Sequence, residues 1–253
     1  MKTTFTARAR GFTLLETVIA IGVLAVLLTG FMVVFTPAAE GIRQSINVQQ
    51  ADRFASALEQ ELVTLRKGEE SSKFATGFDK AYQLIGDCMS QNSPELIFVY
   101  QYRGDLTSPV RSDGTYTPYK ATTGVAGKEY TVVPMARRRV KLNGSQDDFF
   151  EKDLEALEGR VFAVKATQLV FGSVSGTGQL MLSTKALIED PSPGEPLLTG
   201  TTASGTYPEA VIAFSADFFS TSSSTYSYLK SGGGFDPKKL KKAMFSRNLA
   251  VRR

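Results

Sequence analysis

The residue with the clearest chemical consequence is Glu16, a carboxylate set inside an otherwise apolar stretch. From Val18 to Phe35 the chain carries no charged side chain, and this run is long enough for a helix to cross a hydrocarbon core of roughly 30 Å. An ionised carboxylate in lipid is costly, so it needs either a proton or a cationic partner. Two interpretations follow from the side chain alone: Glu16 meets a cation, or it lies solvated near the headgroups.

The residues before Glu16 have a pattern of their own. Lys2, Arg8 and Arg10 are the only charges that precede it, which predicts a cytoplasmic N-terminus and a chain that runs outward through the membrane. A secretory signal has a shorter apolar core of about 7–15 residues with a small-residue cleavage site after it. Here the break in the pattern comes before the apolar run, at Gly11.

The stretch Gly11-Phe12-Thr13-Leu14-Leu15-Glu16, after a short basic leader, resembles the processing site of type IV prepilins and of the pseudopilins of type II secretion systems. The resemblance implies that a membrane-embedded prepilin peptidase cleaves between Gly11 and Phe12, and that Phe12 becomes the N-methylated start of the mature chain. It also implies an assembly role for Glu16, whose carboxylate would pair with the freed Phe12 amine of a neighbouring subunit. The resemblance covers the leader and the apolar helix and does not extend to the residues that follow.

One long helix is predicted over residues 12–67, after a basic leader at 1–11. Its first half, residues 12–36, is the membrane-spanning segment, and Pro37 is expected to bend or interrupt the helix because proline lacks an amide hydrogen. Its second half should be amphipathic and pack on the head, because apolar residues recur three or four positions apart. They are Ile42, Ile46, Ala51, Phe54, Ala55, Leu58, Leu62 and Leu65. Lys67 and Gly68 supply the predicted end of the helix.

Residues 68–230 predict a globular head that is mostly β structure. Its predicted short helices are 78–85 and 147–158, and its predicted strands are 96–102, 129–133, 137–142, 160–172, 179–184 and 210–219. Strands that follow a long helix indicate an α+β fold, in which the helix packs on a mostly antiparallel β-sheet.

Two basic segments have the composition of anion-binding sites. The basic tail, residues 231–253, is expected to form a solvated terminal helix that opens at Asp236-Pro237. Acidic lipid, a partner pilin or DNA are the alternative contacts of this tail, because basic residues bind polyanions without sequence preference. Arg137, Arg138 and Arg139 lie in a predicted edge strand, where the middle side chain points to the opposite face. We therefore expect solvated arginines there rather than a phosphate site.

Residue types exclude most catalytic and metal centres. The 253 residues include no histidine and one cysteine, which excludes Ser-His-Asp triads, Cys-His dyads and zinc sites built from histidine or several thiolates. The phosphate-loop pattern fails at Gly127-Lys128, because Glu129 follows. Cys88 has no partner for an intrachain disulfide, and we expect it to be buried rather than to bridge two chains. No cofactor and no enzymatic activity are predicted.

These observations predict a structural subunit, a minor pilin or pseudopilin given the size of the head. Its predicted partners are the prepilin peptidase, other pilin or pseudopilin subunits and the inner membrane, with the head in the periplasm or outside the cell. After assembly the chain would reside in a filament. Nucleic acid is a possible partner, but the sequence does not support it. A basic protein attracts nucleic acid, and the formal net charge of +4 comes largely from the leader.

Two other classes of function fit parts of the sequence. The first is a monomeric single-pass membrane protein whose head binds a ligand or polyanion outside the membrane. The second is a membrane-anchored hydrolase, which would require acidic residues from separate strands to converge in one pocket. An intact Met1, or a mature start near Ala39, would favour the first of these over the pilin interpretation.

Overall fold

A computed structural model describes residues 13–67, 69, 74–90, 95–120, 129–139, 147–174, 177–191, 204–221, 226–230, 234–240 and 242–253. The leader at 1–11 and Phe12 lie outside this set, so the predicted cleavage and methylation sites have no structural description. The chain divides into two compact units, Met1–Ile46 and Asn47–Arg253.

The first element, α1, is one continuous helix that spans Leu14–Val63. It confirms the long helix predicted from the sequence, although it ends at Val63 rather than at Lys67. Pro37 lies inside α1, so an interruption of the helix there is wrong, whereas a bend at Pro37 stays a prediction. A proline removes one backbone hydrogen bond from a helix, and here the hydroxyl of Thr36 adds a bond to the Met32 carbonyl at 2.9 Å in the preceding turn.

The surface of α1 changes character along its length. Every side chain from Thr13 to Ala38 is exposed, including the large apolar residues from Leu14 to Phe35. In the second unit α1 buries one side only, through Ala51, Phe54, Ala55, Leu58 and Leu62. The predicted apolar stripe is therefore confirmed from Ala51 onward, whereas Ile42 and Ile46 remain exposed.

The second unit contains two further α-helices and seven strands among the described residues. The helices are α2 (Gly77–Met89) and α3 (Asp148–Asp153), and the strands are β1 (Ile97–Asp105), β2 (Thr117–Pro118), β3 (Tyr130–Arg138), β4 (Phe162–Val174), β5 (Thr177–Leu182), β6 (Val211–Ser220) and β7 (Phe245–Arg252). Single 3-10 turns occupy Leu154–Ala156, Ser204–Thr206, Tyr226–Leu229 and Pro237–Lys239.

The strands form one sheet in which every pair is antiparallel. Its order is β2-β1-β4-β6-β7, with β3 paired to β1 and β5 paired to β4. This arrangement confirms the α+β fold with a helix packed on an antiparallel sheet.

Apolar side chains cover both faces of the sheet. Ile97 and Val99 of β1 join the core beneath α1 and α2, whereas Phe98 and Tyr100 join a second core that includes Phe150 of α3. Because successive side chains of a strand point to opposite faces, the continuous apolar run of β1 is that of a strand buried on both sides.

The predicted separate strand over 137–142 is wrong for Arg137 and Arg138, which end β3. This strand continues through Pro134, which faces Gln101 of β1. The Gln101 carbonyl accepts a hydrogen bond from the Glu158 amide on the other side of β1, at 2.9 Å, so Gln101 and Pro134 form a non-hydrogen-bonded pair. The Pro134 nitrogen therefore faces away from β1, toward the outer edge of β3. Proline is tolerated there because no ladder hydrogen bond is lost.

The predicted terminal helix is also wrong. After the short turn Pro237–Lys239 the chain forms β7, which pairs with β6 from Phe218 opposite Phe245 to Val211 opposite Arg252. Leu249 and Val251 are buried at alternate positions, and this two-residue period outweighs the basic composition that indicated a solvated helix.

We expect Leu58→Ala to lower the free energy of unfolding of the head by about 2–5 kcal/mol, because Leu58 is fully buried and its truncation leaves a cavity under the sheet. Urea unfolding of the full chain in detergent, followed by near-ultraviolet circular dichroism, measures this loss. Ile46→Ala in the same helix is the matched control and should cost under about 0.5 kcal/mol, since Ile46 is 49% exposed. Equal losses in the two variants would contradict the assigned core.

Candidate functional site

The N-terminal end of α1 carries a reciprocal cap between Thr13 and Glu16. The Glu16 amide donates to the Thr13 hydroxyl oxygen at 3.2 Å, and the Thr13 amide donates to Glu16 Oε2 at 3.3 Å. The Thr13 hydroxyl also lies 3.3 Å from Glu16 Oε2. This capping box satisfies two of the amides that the first turn of a helix leaves without partners.

The capping box is a role of Glu16 that our sequence interpretation missed. Its signal was present, because Thr13 and Glu16 have the threonine-x-x-glutamate spacing that precedes an apolar run in such caps. Both residues are exposed, so the carboxylate remains accessible to a second chain. The assembly role of Glu16 stays a prediction, as do cleavage at Gly11 and methylation of Phe12.

The threonine hydroxyls in the apolar half of α1 are satisfied within the helix. The hydroxyls of Thr17 and Thr29 donate to the carbonyls of Leu14 and Ala25, each at 2.8 Å. Internal pairing of polar groups is required of a helix in lipid, where water offers no substitute. Among the described residues, α1 is the one helix that is long and apolar enough to cross a membrane. A signal sequence near the N-terminus would meet the same criterion.

The head contains a buried set of charges that we call the Asp153 cluster, composed of Tyr100, Arg111, Asp113, Arg137 and Asp153. Asp153 is fully buried, and it accepts hydrogen bonds from Tyr100 at 2.6 Å and from Arg111 Nη1 at 2.7 Å. Arg137 lies 3.5 Å from the same carboxylate and also pairs with Asp113. The cluster thus joins β1, β3, α3 and the loop between β1 and β2.

The predicted solvation of Arg137 and Arg138 is wrong, whereas their placement on opposite faces of an edge strand is confirmed. The Arg137 side chain is 10% exposed inside the Asp153 cluster, and the Arg138 side chain is 8% exposed and pairs with Asp87 of α2. Their partners lie far away in the sequence, so no local pattern could indicate these ion pairs.

The two acids of the Asp153 cluster have pKa values shifted in opposite directions. Burial alone would raise the pKa of Asp113, but hydrogen bonds from Thr115 and Arg137 outweigh it and hold that pKa below its ordinary value of 3.8. Burial raises the pKa of Asp153 above the ordinary value, against the opposing attraction of Arg111 and Arg137. Burial and the neighbouring Asp153 also raise the pKa of Tyr100, so its hydroxyl remains a donor.

The Asp153 cluster brings acids from separate elements together, which was the requirement for a hydrolase. These acids are not available to a substrate, however, because Asp113 and Asp153 are each paired with arginine. Their side chains are 7% and 0% exposed. Among the described residues, no group of three or more histidine, cysteine, aspartate or glutamate side chains is arranged to hold a metal ion. The geometry is that of a structural ion network.

Cys88 lies in α2 and is buried in the core beneath the sheet, as predicted. Burial raises the pKa of its thiol to about 12, which keeps it in the unreactive protonated form. In the head, two arginines of the basic tail make intramolecular contacts. Arg247 pairs with Asp52 at 2.7 Å, and Arg253 donates to the Ser204 carbonyl at 2.6 Å.

Comparison with known proteins finds one family model, described as the prokaryotic N-terminal methylation motif, which matches residues 6–32. This motif is the prepilin-type signal of type IV pilins and pseudopilins, and it confirms the resemblance predicted from Gly11 to Glu16. No curated protein and no solved structure matches the chain. The motif implies processing by a prepilin peptidase and assembly with other pilin subunits, and it is typical of a structural protein family.

We expect Asp113→Asn to lower the free energy of unfolding by about 1–3 kcal/mol at about pH 7, because Arg137 loses a charged partner in a buried site. The pKa of Asp113 is depressed in the folded state, so its contribution is present above the ordinary value of 3.8 and is lost as the pH falls through the folded value. Urea unfolding at about pH 7 and about pH 3 should therefore show a smaller difference between wild type and variant at the lower pH. The exposed Asp148→Asn is the control, and a difference that grows on acidification would contradict the assignment.

Proposed function

We propose that this chain is a prepilin-like structural subunit, a minor pilin or pseudopilin, that a prepilin peptidase processes between Gly11 and Phe12. It is then assembled from the inner membrane into a type IV pilus or a type II secretion pseudopilus. The observation that carries the proposal is the methylation motif at residues 6–32, which runs into a helix whose apolar side chains are exposed on every side.

The exposed apolar surface of α1 gives the first physical reason. Large side chains such as Leu24, Leu27 and Phe31 are more than half exposed, which is unfavourable in water but suits lipid or a bundle of equivalent helices. A Cβ atom added at Gly22 or Gly30 would meet no neighbour, so these positions leave the backbone open to close approach by another helix. The same surface thus serves the membrane before assembly and the filament after it.

Glu16 gives the second reason. Cleavage after Gly11 would create a cationic amine at Phe12, and in a low-dielectric environment this amine is the partner that an ionised Glu16 requires. The capping box of Thr13 and Glu16 holds the carboxylate at the helix end through weak contacts of 3.2–3.3 Å. Pairing with the amine of a neighbouring subunit would replace the contact of Glu16 with Thr13 by an ion pair. This ion pair would define the axial position of the neighbouring subunit.

A second function rests on a groove in the head. Phe219, Phe235, Leu240 and the neighbouring Lys239 line a cavity of about 450 Å³, within the usual size range of small-molecule sites. A single-pass membrane protein whose head binds a ligand, the alternative function, would use this groove. The two functions differ at the N-terminus, because only the subunit requires N-methyl-Phe12.

We expect Glu16→Ala and Glu16→Gln to be cleaved and methylated at Phe12 but to be lost from the filament fraction by at least about tenfold. The lost carboxylate leaves the Phe12 amine of the neighbouring subunit without a partner at low dielectric, which costs more than about 1.4 kcal/mol. Mass spectrometry of the N-terminal peptide measures processing. Immunoblotting of sheared filaments or cross-linked pseudopili, in a cell that supplies the peptidase and the assembly machinery, measures incorporation.

The glutamine variant separates charge pairing from helix capping, because glutamine also completes a capping box. Thr13→Ala is the converse control, since it removes the hydroxyl of the cap and keeps the carboxylate. We expect Thr13→Ala to assemble and Glu16→Gln to fail. Normal assembly of Glu16→Gln would refute the charge-pairing role, and a chain that retains Gly11 would refute the proposed function as a whole.

A further inference from the structure

Three strands longer than two residues have an unpaired edge within the part of the chain that the structure describes. They are β3, which pairs with β1 alone, β5, which pairs with β4 alone, and β7, which pairs with β6 alone. An unpaired edge presents a row of amides and carbonyls to which another strand is able to add. Proteins usually protect such edges with charged side chains or proline.

Two of these edges carry that protection. Pro134, Arg137 and Arg138 lie in β3, and the missing amide of Pro134 interrupts the row of donors on its outer side. Arg247 and Arg252 lie in β7. An added apolar strand would bring the Arg247 side chain, which is 41% exposed, and the exposed Arg252 into a less polar environment, which opposes pairing along β7. Along β3 the missing amide of Pro134 opposes pairing.

The edge of β5 has no such protection. No charged residue occurs between Lys165 and Lys185, and proline is absent from the same interval. Leu180, Met181 and Leu182 are 45%, 41% and 51% exposed. Phe171, directly across from Leu180 on β4, is 49% exposed, so the β4-β5 hairpin presents an apolar face next to an open row of backbone groups.

The hydrogen bonds around the hairpin show which backbone groups are available. The Ser183 amide donates to the Gln168 carbonyl at 2.8 Å, and the Phe171 amide donates away from β5 to the Pro191 carbonyl at 2.9 Å. In an antiparallel ladder, hydrogen-bonded and non-hydrogen-bonded pairs alternate, so Phe171 and Leu180 form a non-hydrogen-bonded pair. The amides and carbonyls of Leu180 and Leu182 therefore face the open edge.

The geometry points to antiparallel pairing of β5 with β5 of a second copy of this chain, about a two-fold axis at Leu180. A second copy offers three edges within the described residues, and only its β5 is free of arginine and proline. The like edges are self-complementary, which is the condition for a two-fold interface. In this register Leu180 faces its equivalent in a hydrogen-bonded pair, and Gln179 faces Met181 of the other copy.

This pairing goes beyond the proposed function, because it requires neither leader cleavage nor a filament. A six-residue strand buries much less than the roughly 800 Å² per partner of a stable interface, so the pair is weak between freely diffusing chains. Chains confined to one membrane by α1 meet at a higher effective concentration, which favours the pair there. A two-fold contact also closes on itself and joins two copies without propagating.

Disulfide cross-linking of the full chain in isolated membranes tests the pairing. In a hydrogen-bonded antiparallel pair the Cα atoms lie about 5.5 Å apart, within the range that a disulfide spans. Leu180→Cys should therefore give a disulfide-linked dimer on mild oxidation, with the linked peptide identified by mass spectrometry. Asn248→Cys, at an exposed position of the β7 edge, is the matched control and should give none. The native Cys88 is buried and should not react.

A charged side chain introduced on the edge of β5 provides a second test of the pairing. In the Leu180→Cys background, Leu182→Lys should abolish the dimer and Leu182→Ile should retain it, because only lysine opposes strand addition. Leu182 is half exposed, so neither change threatens the fold. Co-expressed Gln179→Cys and Met181→Cys chains should form mixed dimers, which checks the register. No dimer from Leu180→Cys, an equal yield from Asn248→Cys, or a dimer that survives Leu182→Lys would overturn the proposal.

The same experiment separates this inference from the proposed function. In cells without a prepilin peptidase the Leu180→Cys dimer should form at an undiminished yield, whereas processing at Gly11 should cease. A dimer that depends on the peptidase would show that the contact belongs to the filament, and it would refute pairing between unprocessed chains. A dimer without any processing in cells that contain the peptidase would support the pairing and refute the subunit role.

Discussion

One helix, α1, must suit an apolar environment along its first half and the core of the head along its second half, and the packing of the head depends on this change. From Thr13 to Ala38 every side chain of α1 is exposed, and its threonine hydroxyls bond to carbonyls one turn back. From Ala51 onward the same helix buries only one side. The first pattern suits hydrocarbon, where polar groups must be satisfied internally, and the second suits the boundary between a protein core and water.

The sheet of the head has a hydrophobic core on each face. Side chains that alternate along β1 enter the core beneath α1 and α2 on one face and the core beside α3 on the other. The Asp153 cluster lies among residues of the second core and ties the loop after β1 to β3 and α3. Buried charges are tolerated there because each has an oppositely charged partner, although Arg137 Nε is buried without a hydrogen bond, and the ion pairs favour one arrangement of the loop.

The parts of the fold that follow from local sequence patterns were predictable. The apolar run is recognisable by its length, the stripe from Ala51 to Leu62 by its helical period, and the runs of β1, β4 and β6 by their β-prone residues, and each forms the expected element. At the N-terminus, the motif from Gly11 to Glu16 was found from its residues, whereas the capping role of Thr13 and Glu16 was overlooked although its spacing is visible.

Features that depend on contacts between distant residues were not predictable. Arg137 and Arg138 are buried because Asp113, Asp153 and Asp87 reach them from other elements. The basic composition of residues 231–253 indicated a solvated helix, and only pairing with β6 explains why Phe245–Arg252 is a strand. Long-range pairing overrides local composition, which a pattern of single residues does not record.

The position of β7 has a consequence for the order of biosynthesis. This strand is translated after all the others described, yet it lies next to β6 and contributes Leu249 and Val251 to the core that holds the end of α1. The sheet therefore remains incomplete until β7 has left the ribosome, and closing these distant contacts is slow compared with local helix formation. In a head built in this way, the core around Leu249 and Val251 closes only after β7 has been synthesised.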